Sequence, residues 1–296
     1  MSQSESSSVL RLSDDRALAY EFSHPPAEAS SEATSRPVVL LSNSLCAPYA
    51  TWDKVVPQLH NEGFSVLRYD QPGHGLSSAP GNISEITFAT LANDVTQLLA
   101  HLGIKELAAW IGVSMGGATG MHVAALHPGL IKTLIVCDCP SSHAGPRMVL
   151  APLSEVAGKA GEMAGIADGL GSKWFSDEWR AANSEEWERV LGIMRQTSVD
   201  GFRTCINALT DGSFDLTGIA PKIGTCVNAA AFVVGERDGK LPETMAVLRD
   251  VVQEGFNNSG RTDYKVPLSV VPGAGHVCYV DNLSGFMEAV LPALRG

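Results

Sequence analysis

A chain of 296 residues, 45% of them hydrophobic, is long enough to bury a full core, yet it holds no uninterrupted apolar stretch of membrane-spanning length. Its formal charge of −11 argues against a nucleic-acid partner, because phosphate binding needs clustered Lys and Arg. The polar start Met1-Ser2-Gln3-Ser4-Glu5 lacks the basic end and apolar centre of a secretory signal, and the six cysteines show no C-x-x-C and no metal-type spacing with histidine, so the expectation is six reduced thiols in a cytoplasmic protein with no metal and no cofactor.

In chain order, 9–12 and 18–22 flank Asp14-Asp15-Arg16 and predict an antiparallel hairpin. The Pro-, Ser- and Glu-rich stretch 24–36 predicts a surface loop. Segment 38–42 is all apolar up to Ser42, reads as a buried strand, and runs into Asn43-Ser44-Leu45-Cys46. Trp52, Val55, Val56 and Leu59 fall at helical spacing and predict one helix over 50–62, stopped by Gly63. A second strand over 64–70 leads into Gln71-Pro72-Gly73-His74-Gly75, a tight turn whose histidine is expected to tie the loop together rather than to act as a base. An amphipathic helix over 87–102 precedes an apolar strand at 107–113.

That strand ends in Gly112-Val113-Ser114-Met115-Gly116-Gly117, and a small-residue helix follows to His127 and Pro128. G-x-S-x-G between a strand and a helix is a nucleophile elbow: the glycines permit close backbone approach, and the helix N-terminus favours negative charge developing at Ser114. After a further strand at 131–138 the pattern changes, and 141–215 holds several helical stretches and no convincing strand, as expected of a lid. Strands at 229–235 and 266–271 alternate with helices at 242–255 and 281–294. The whole predicts an α/β fold in a single domain, 1–296: a mostly parallel sheet of about eight strands, helices on both faces and a helical lid.

Active-site groups in such sheets gather at the carboxyl ends of strands, where Ser114, Asp238 and His276 all fall. In that order they can serve as nucleophile, orienting acid and general base, with the N–H groups of Leu45 and Met115 holding the oxyanion at about 3 kcal/mol per donor. Two other acids compete for the orienting role: Asp138, at the end of the preceding strand, ranks second, and Glu236 third.

The chain resembles the α/β-hydrolase family of 3-oxoadipate enol-lactonases. The likeness rests on Ser42-Asn43-Ser44-Leu45, Trp52-Asp53, Arg68-Tyr69-Asp70 with Pro72-Gly73-His74-Gly75, the elbow, Lys173-Trp174-Phe175, Gly201-Phe202 and Ala274-Gly275-His276, and runs from about Leu10 onward. It implies cofactor-free hydrolysis of a small lactone or ester, with Ser44 and Trp174 as candidate substrate contacts. An acidic lactone would need a buried cation, and of the lid's seven basic residues Arg147 and Arg203 are the expected partners. Cys46 stands where relatives carry glycine, and Glu236-Arg237-Asp238-Gly239 departs from their more acidic turn. A slow-turnover receptor on the same fold, or a carbon–carbon bond hydrolase, are the other readings.

Overall fold

The computed structural model describes residues 8–26 and 36–296. The polar start and most of the expected loop at 24–36 lie outside the described residues.

Among the described residues, eight strands form one sheet in the order β1-β2-β4-β3-β5-β6-β7-β8. They are β1 (Ser8–Arg11), β2 (Ala17–Ser23), β3 (Val38–Ser42), β4 (Ser65–Tyr69), β5 (Leu107–Val113), β6 (Ile131–Cys137), β7 (Ala229–Gly235) and β8 (Leu268–Val271). The hairpin β1–β2 is antiparallel, β2 joins β4 antiparallel, and every remaining pairing is parallel. Central strands need apolar residues on both faces, and β4 and β5 are buried almost throughout.

Helices α1 (Val56–Asn61), α2 (Phe88–His101) and α3 (Met115–Leu126) follow β3, β4 and β5. The lid, α4 (Ala144–Ala160), α5 (Ala164–Trp174), α6 (Asp177–Ala182), α7 (Ser184–Met194) and α8 (Val199–Thr210), is inserted between β6 and β7. Then come α9 (Ile223–Cys226), α10 (Leu241–Asn258), α11 (Cys278–Asp281) and α12 (Leu283–Arg295). Thr87 caps α2 by accepting from the Thr90 N–H, while the Thr90 hydroxyl accepts from the Thr87 N–H, so two otherwise unpaired donors are satisfied.

The single helix expected over 50–62 is in fact two pieces, a 3-10 turn at Tyr49–Trp52 and α1. Pro57 sits in the first turn of α1, where its missing N–H costs nothing, so the α-helix starts there. The 3-10 turn is itself well anchored. Trp52 is fully buried, stacks on Tyr279 with centroids 3.7 Å apart, and donates its indole N–H to Asn43 Oδ1 at 2.8 Å. Arg68 joins the same region by pairing with Asp53 at 2.6 Å and Glu21 at 2.9 Å.

All six cysteines are buried and none is paired with another. No helix among the described residues is long and apolar enough to cross a membrane.

Candidate active site

Because β3, β5, β6, β7 and β8 run parallel, the loops that follow them emerge along one edge of the sheet. These loops carry Ser44, Ser114, Asp138, Asp238 and His276.

Ser114 occupies φ 56°, ψ −118°, a region that side chains other than glycine rarely adopt and that costs about 1–3 kcal/mol. The strain is held by its surroundings. Its N–H donates to Cys137 O at 2.8 Å, while a Cβ on Gly112 would lie 2.3 Å from Gly116 O and one on Gly116 would lie 2.2 Å from Ser42 O. Both elbow glycines are therefore forced by backbone packing. Met115 is the first residue of α3, so its N–H has no acceptor within the helix and is free to face a developing negative charge.

Opposite lies the loop after β3. Asn43 fixes it from within: its amide N–H donates to Tyr69 O at 2.8 Å, and Gln71 donates to its carbonyl at 3.3 Å. Leu45 is buried beside this bond network, and among the described residues no acceptor takes its N–H. Cys46 has φ 60°, the conformation for which glycine is ordinarily chosen, so a strained backbone stands one residue beyond the proposed oxyanion donor. His74 stabilises that conformation. It is fully buried, its Nε2 accepts the Cys46 N–H at 2.9 Å, and its Nδ1–H donates to Pro72 O at 3.0 Å. Burial pushes its pKa down to about 4, so the ring is neutral and structural, as its place in the turn suggested.

His276 donates Nδ1–H to Asp238 Oδ2 at 2.8 Å, which leaves Nε2 as the accepting nitrogen. Its hydrogen-bond partner among the described residues is the Ser44 hydroxyl, at 3.3 Å, with no hydrogen bond from Ser114 to the ring. Two contacts position the His276 loop. Asp281 Oδ2 accepts the Gly275 N–H at 2.7 Å, and a Cβ on Gly275 would sit 1.9 Å from Trp174 O, so the end of α5 rests directly on the loop. The Trp174 ring lies 5.3 Å from the His276 ring. Asp281 escaped the sequence reading because it sits in a short helix with no pattern of its own; burial raises its pKa to about 6.

The other two candidate acids each bind a backbone N–H. Glu236 is exposed and accepts the Gly273 N–H at 2.7 Å, bracing the β8 turn. Asp138 is buried and binds the Gly235 N–H at 2.7 Å. Of the lid cations, Arg147 is solvent-exposed on α4, which corrects the expectation that it points into a pocket. Arg203 is half-buried on α8 against Gly158 of α4, and its Nε has no partner among the described residues. No cluster of His, Cys, Asp and Glu among the described residues could hold a metal ion.

Residues 37–204, more than half of the chain, match the family described as the alpha/beta hydrolase fold. A stretch of 176 residues is 29% identical to 3-oxoadipate enol-lactonase 2 of Acinetobacter baylyi, covering 60% of this chain and 64% of that protein. A shorter stretch of 117 residues is 30% identical to bifunctional epoxide hydrolase 2 of Sus scrofa, covering 40% of this chain and 21% of that one. The chain thus matches less than two thirds of the length of these curated relatives. Among solved structures, the enol-lactonase from Burkholderia xenovorans superposes with a TM-score of 0.82 over 98% of this chain and 100% of that one, at 24% identity. A thermophilic esterase from Thermogutta terrifontis gives 0.79 over 98% of each chain, at 19% identity. With the mostly parallel sheet, the strained serine at the β5–α3 turn and the family match over more than half its length, this chain belongs to the α/β-hydrolase family.

Proposed function

We propose that the protein is a serine hydrolase that opens a small lactone or ester through an acyl-enzyme, with Ser114 as nucleophile, His276 as general base and Asp238 as orienting acid. The observation that carries this reading is the 2.8 Å bond from His276 Nδ1 to Asp238, which fixes the tautomer with Nε2 free to accept a proton at the strand edge that also carries Ser114. Attack by Ser114 Oγ on the substrate carbonyl transfers the hydroxyl proton to Nε2. The oxyanion that forms is held by the N–H groups of Leu45 and Met115. The imidazolium then protonates the leaving oxygen, and water enters by the same route in reverse to release the acid.

The substrate class rests on the enol-lactonases among the relatives and structural neighbours. An acidic lactone suits Arg203, the half-buried lid guanidinium that keeps an unpartnered Nε. The test is a panel of small lactones and p-nitrophenyl esters, neutral and carboxylate-bearing, combined with labelling by a serine-directed fluorophosphonate. Turnover with labelling at Ser114 is expected, and Arg203→Met should raise KM for the acidic lactones while sparing the neutral esters. Labelling without turnover of any ester or lactone would point to the receptor reading instead.

A further inference from the structure

Asp138 has no part in the mechanism above, yet it is among the most constrained residues at the site. It follows β6, is fully buried, and sits at φ 43°. Its N–H donates to Val233 O at 3.0 Å, and its Oδ1 accepts the Gly235 N–H at 2.7 Å, so β7 holds it at both ends. Its second oxygen, Oδ2, is buried and, as a carboxylate oxygen that can only accept, finds no hydrogen-bond partner among the described residues.

The titratable groups that act on Asp138 are acids and thiols. Asp238 approaches from the loop after β7, Cys278 from α11, and Cys137 and Cys139 flank it in sequence. Beyond them, Asp281 lies near both Asp238 and Cys278, and Arg237, the cation that acts on Asp281, is solvent-exposed. A carboxylate buried there would be an unpaired charge beside a second carboxylate, which a low-dielectric interior strongly disfavours. Two carboxyl groups sharing one desolvated site cannot both ionise, and a proton between them removes the conflict. Burial first, and then the Asp238 charge, drive Asp138 well above the usual carboxylate range.

We propose that Asp138 is a neutral acid whose Oδ2–H donates to the Asp238 carboxylate, making it a positioning residue for the group that orients His276. Asp238 then accepts from the imidazole on one side and from Asp138 on the other, so its carboxylate plane is fixed without placing a second negative charge near the ring. The left-handed backbone at Asp138 is tolerated because both β7 contacts and this bond over-determine it. The inference rests on the proposed triad, and infrared spectroscopy tests it separately from activity.

Wild type, Asp138→Asn and Asp138→Leu are compared. The Asn amide can accept from Gly235 and donate to Asp238, as the neutral acid does, and asparagine tolerates the left-handed conformation. The expected result is kcat/KM for a neutral ester within about threefold of wild type, with the acid limb of the pH profile in place. Asp138→Leu removes the donor and leaves the Asp238 charge undamped, which favours the imidazolium. Its kcat/KM should fall about tenfold and its acid limb should move to higher pH. In the infrared difference spectrum at neutral pH, wild type minus Asp138→Asn, the C=O stretch of a protonated carboxyl is expected. Loss of a carboxylate band instead, or an acid limb that drops to lower pH in Asp138→Asn, overturns the proposal by showing a charge at Asp138. A folded Leu variant with an unshifted limb overturns it by showing that Asp138 only packs. Should the Leu variant fail to fold, the infrared comparison decides. Failure of the triad itself would appear as ester turnover that survives Ser114→Ala, whatever the infrared band.

Discussion

The Ser44 hydroxyl stands 3.3 Å from His276 Nε2, on the side of the ring remote from Asp238. With Nδ1–H committed to Asp238, the hydroxyl donates to Nε2. Once Nε2 carries a proton, the same oxygen can accept it, holding the imidazolium at the site until the leaving oxygen takes the proton. Ser44→Ala should therefore lower kcat by about tenfold with little change in KM, the loss of one bond to a charged group. Steady-state kinetics on a neutral ester and on one with a poorer leaving group decide it. The deficit should grow with the poorer leaving group, and an unchanged kcat for both would reduce Ser44 to packing.

Ser114→Ala deletes one hydroxyl at a position that is almost fully buried, so the fold should persist while turnover falls by several orders of magnitude and fluorophosphonate labelling disappears. Ser114→Gly should be equally inactive yet more stable than wild type by about 1 kcal/mol, because glycine adopts φ 56° without penalty. A thermal melt of the two variants separates the strain from the hydroxyl. A Gly variant that melts below Ser114→Ala would mean that the elbow carries no strain worth relieving.

Asp238→Asn should lower kcat about ten-thousand-fold, since an amide cannot stabilise the imidazolium. Glu236→Gln should stay within a few tenths of a kcal/mol of wild type in transition-state stabilisation, because exposed Glu236 braces a turn through a single backbone N–H. The two kcat values ranked in the opposite order would move the acid to Glu236.

His74 predicts a pH dependence with a definite sign. Its pKa is depressed from 6.5 to about 4 in the folded chain, so the unfolded state binds the extra proton between those values. The stabilisation it contributes is complete above 6.5 and is lost as pH falls toward 4, amounting to about 3 kcal/mol. Asp70 opposes it, because burial raises that carboxyl to about 7 and favours the folded state at low pH. Urea unfolding of wild type and His74→Gln across this range isolates the histidine: the stability difference between them should shrink as the solution is acidified. A difference that stays constant with pH would show that His74 is not kept neutral by burial.

The elbow, the strand ends and the lid were legible from sequence because each depends on local chemistry. Gly112 and Gly116 announce a backbone contact, and 141–215 lacks any strand pattern. What stayed hidden depends on partners far along the chain. Asp94 sits on the buried face of α2, and nothing local reveals that Arg16, 78 residues earlier, meets it through two bonds of 2.7 and 2.6 Å. The ranking of Asp238 over Asp138 and Glu236 rested on chain order, whereas the backbone partners of Asp138 and Glu236 needed the β7 and β8 strands in place. Arg147 shows the opposite failure: a basic residue in a lid carries no local sign of which way it faces.

The Trp174 carbonyl pressed against Gly275 has a practical meaning for anyone who would redesign this protein. Exchanging the five lid helices for those of another hydrolase is an attractive way to change what the sheet acts on. Here the graft cannot be cut cleanly at its borders, because the last residue of α5 serves as a wall for the loop that carries His276. A transplanted segment would need a bare carbonyl at that point, and a recipient with any residue but glycine at 275 would push it away. Specificity and reactivity are inherited together at this contact, and a chimera must carry both halves of it.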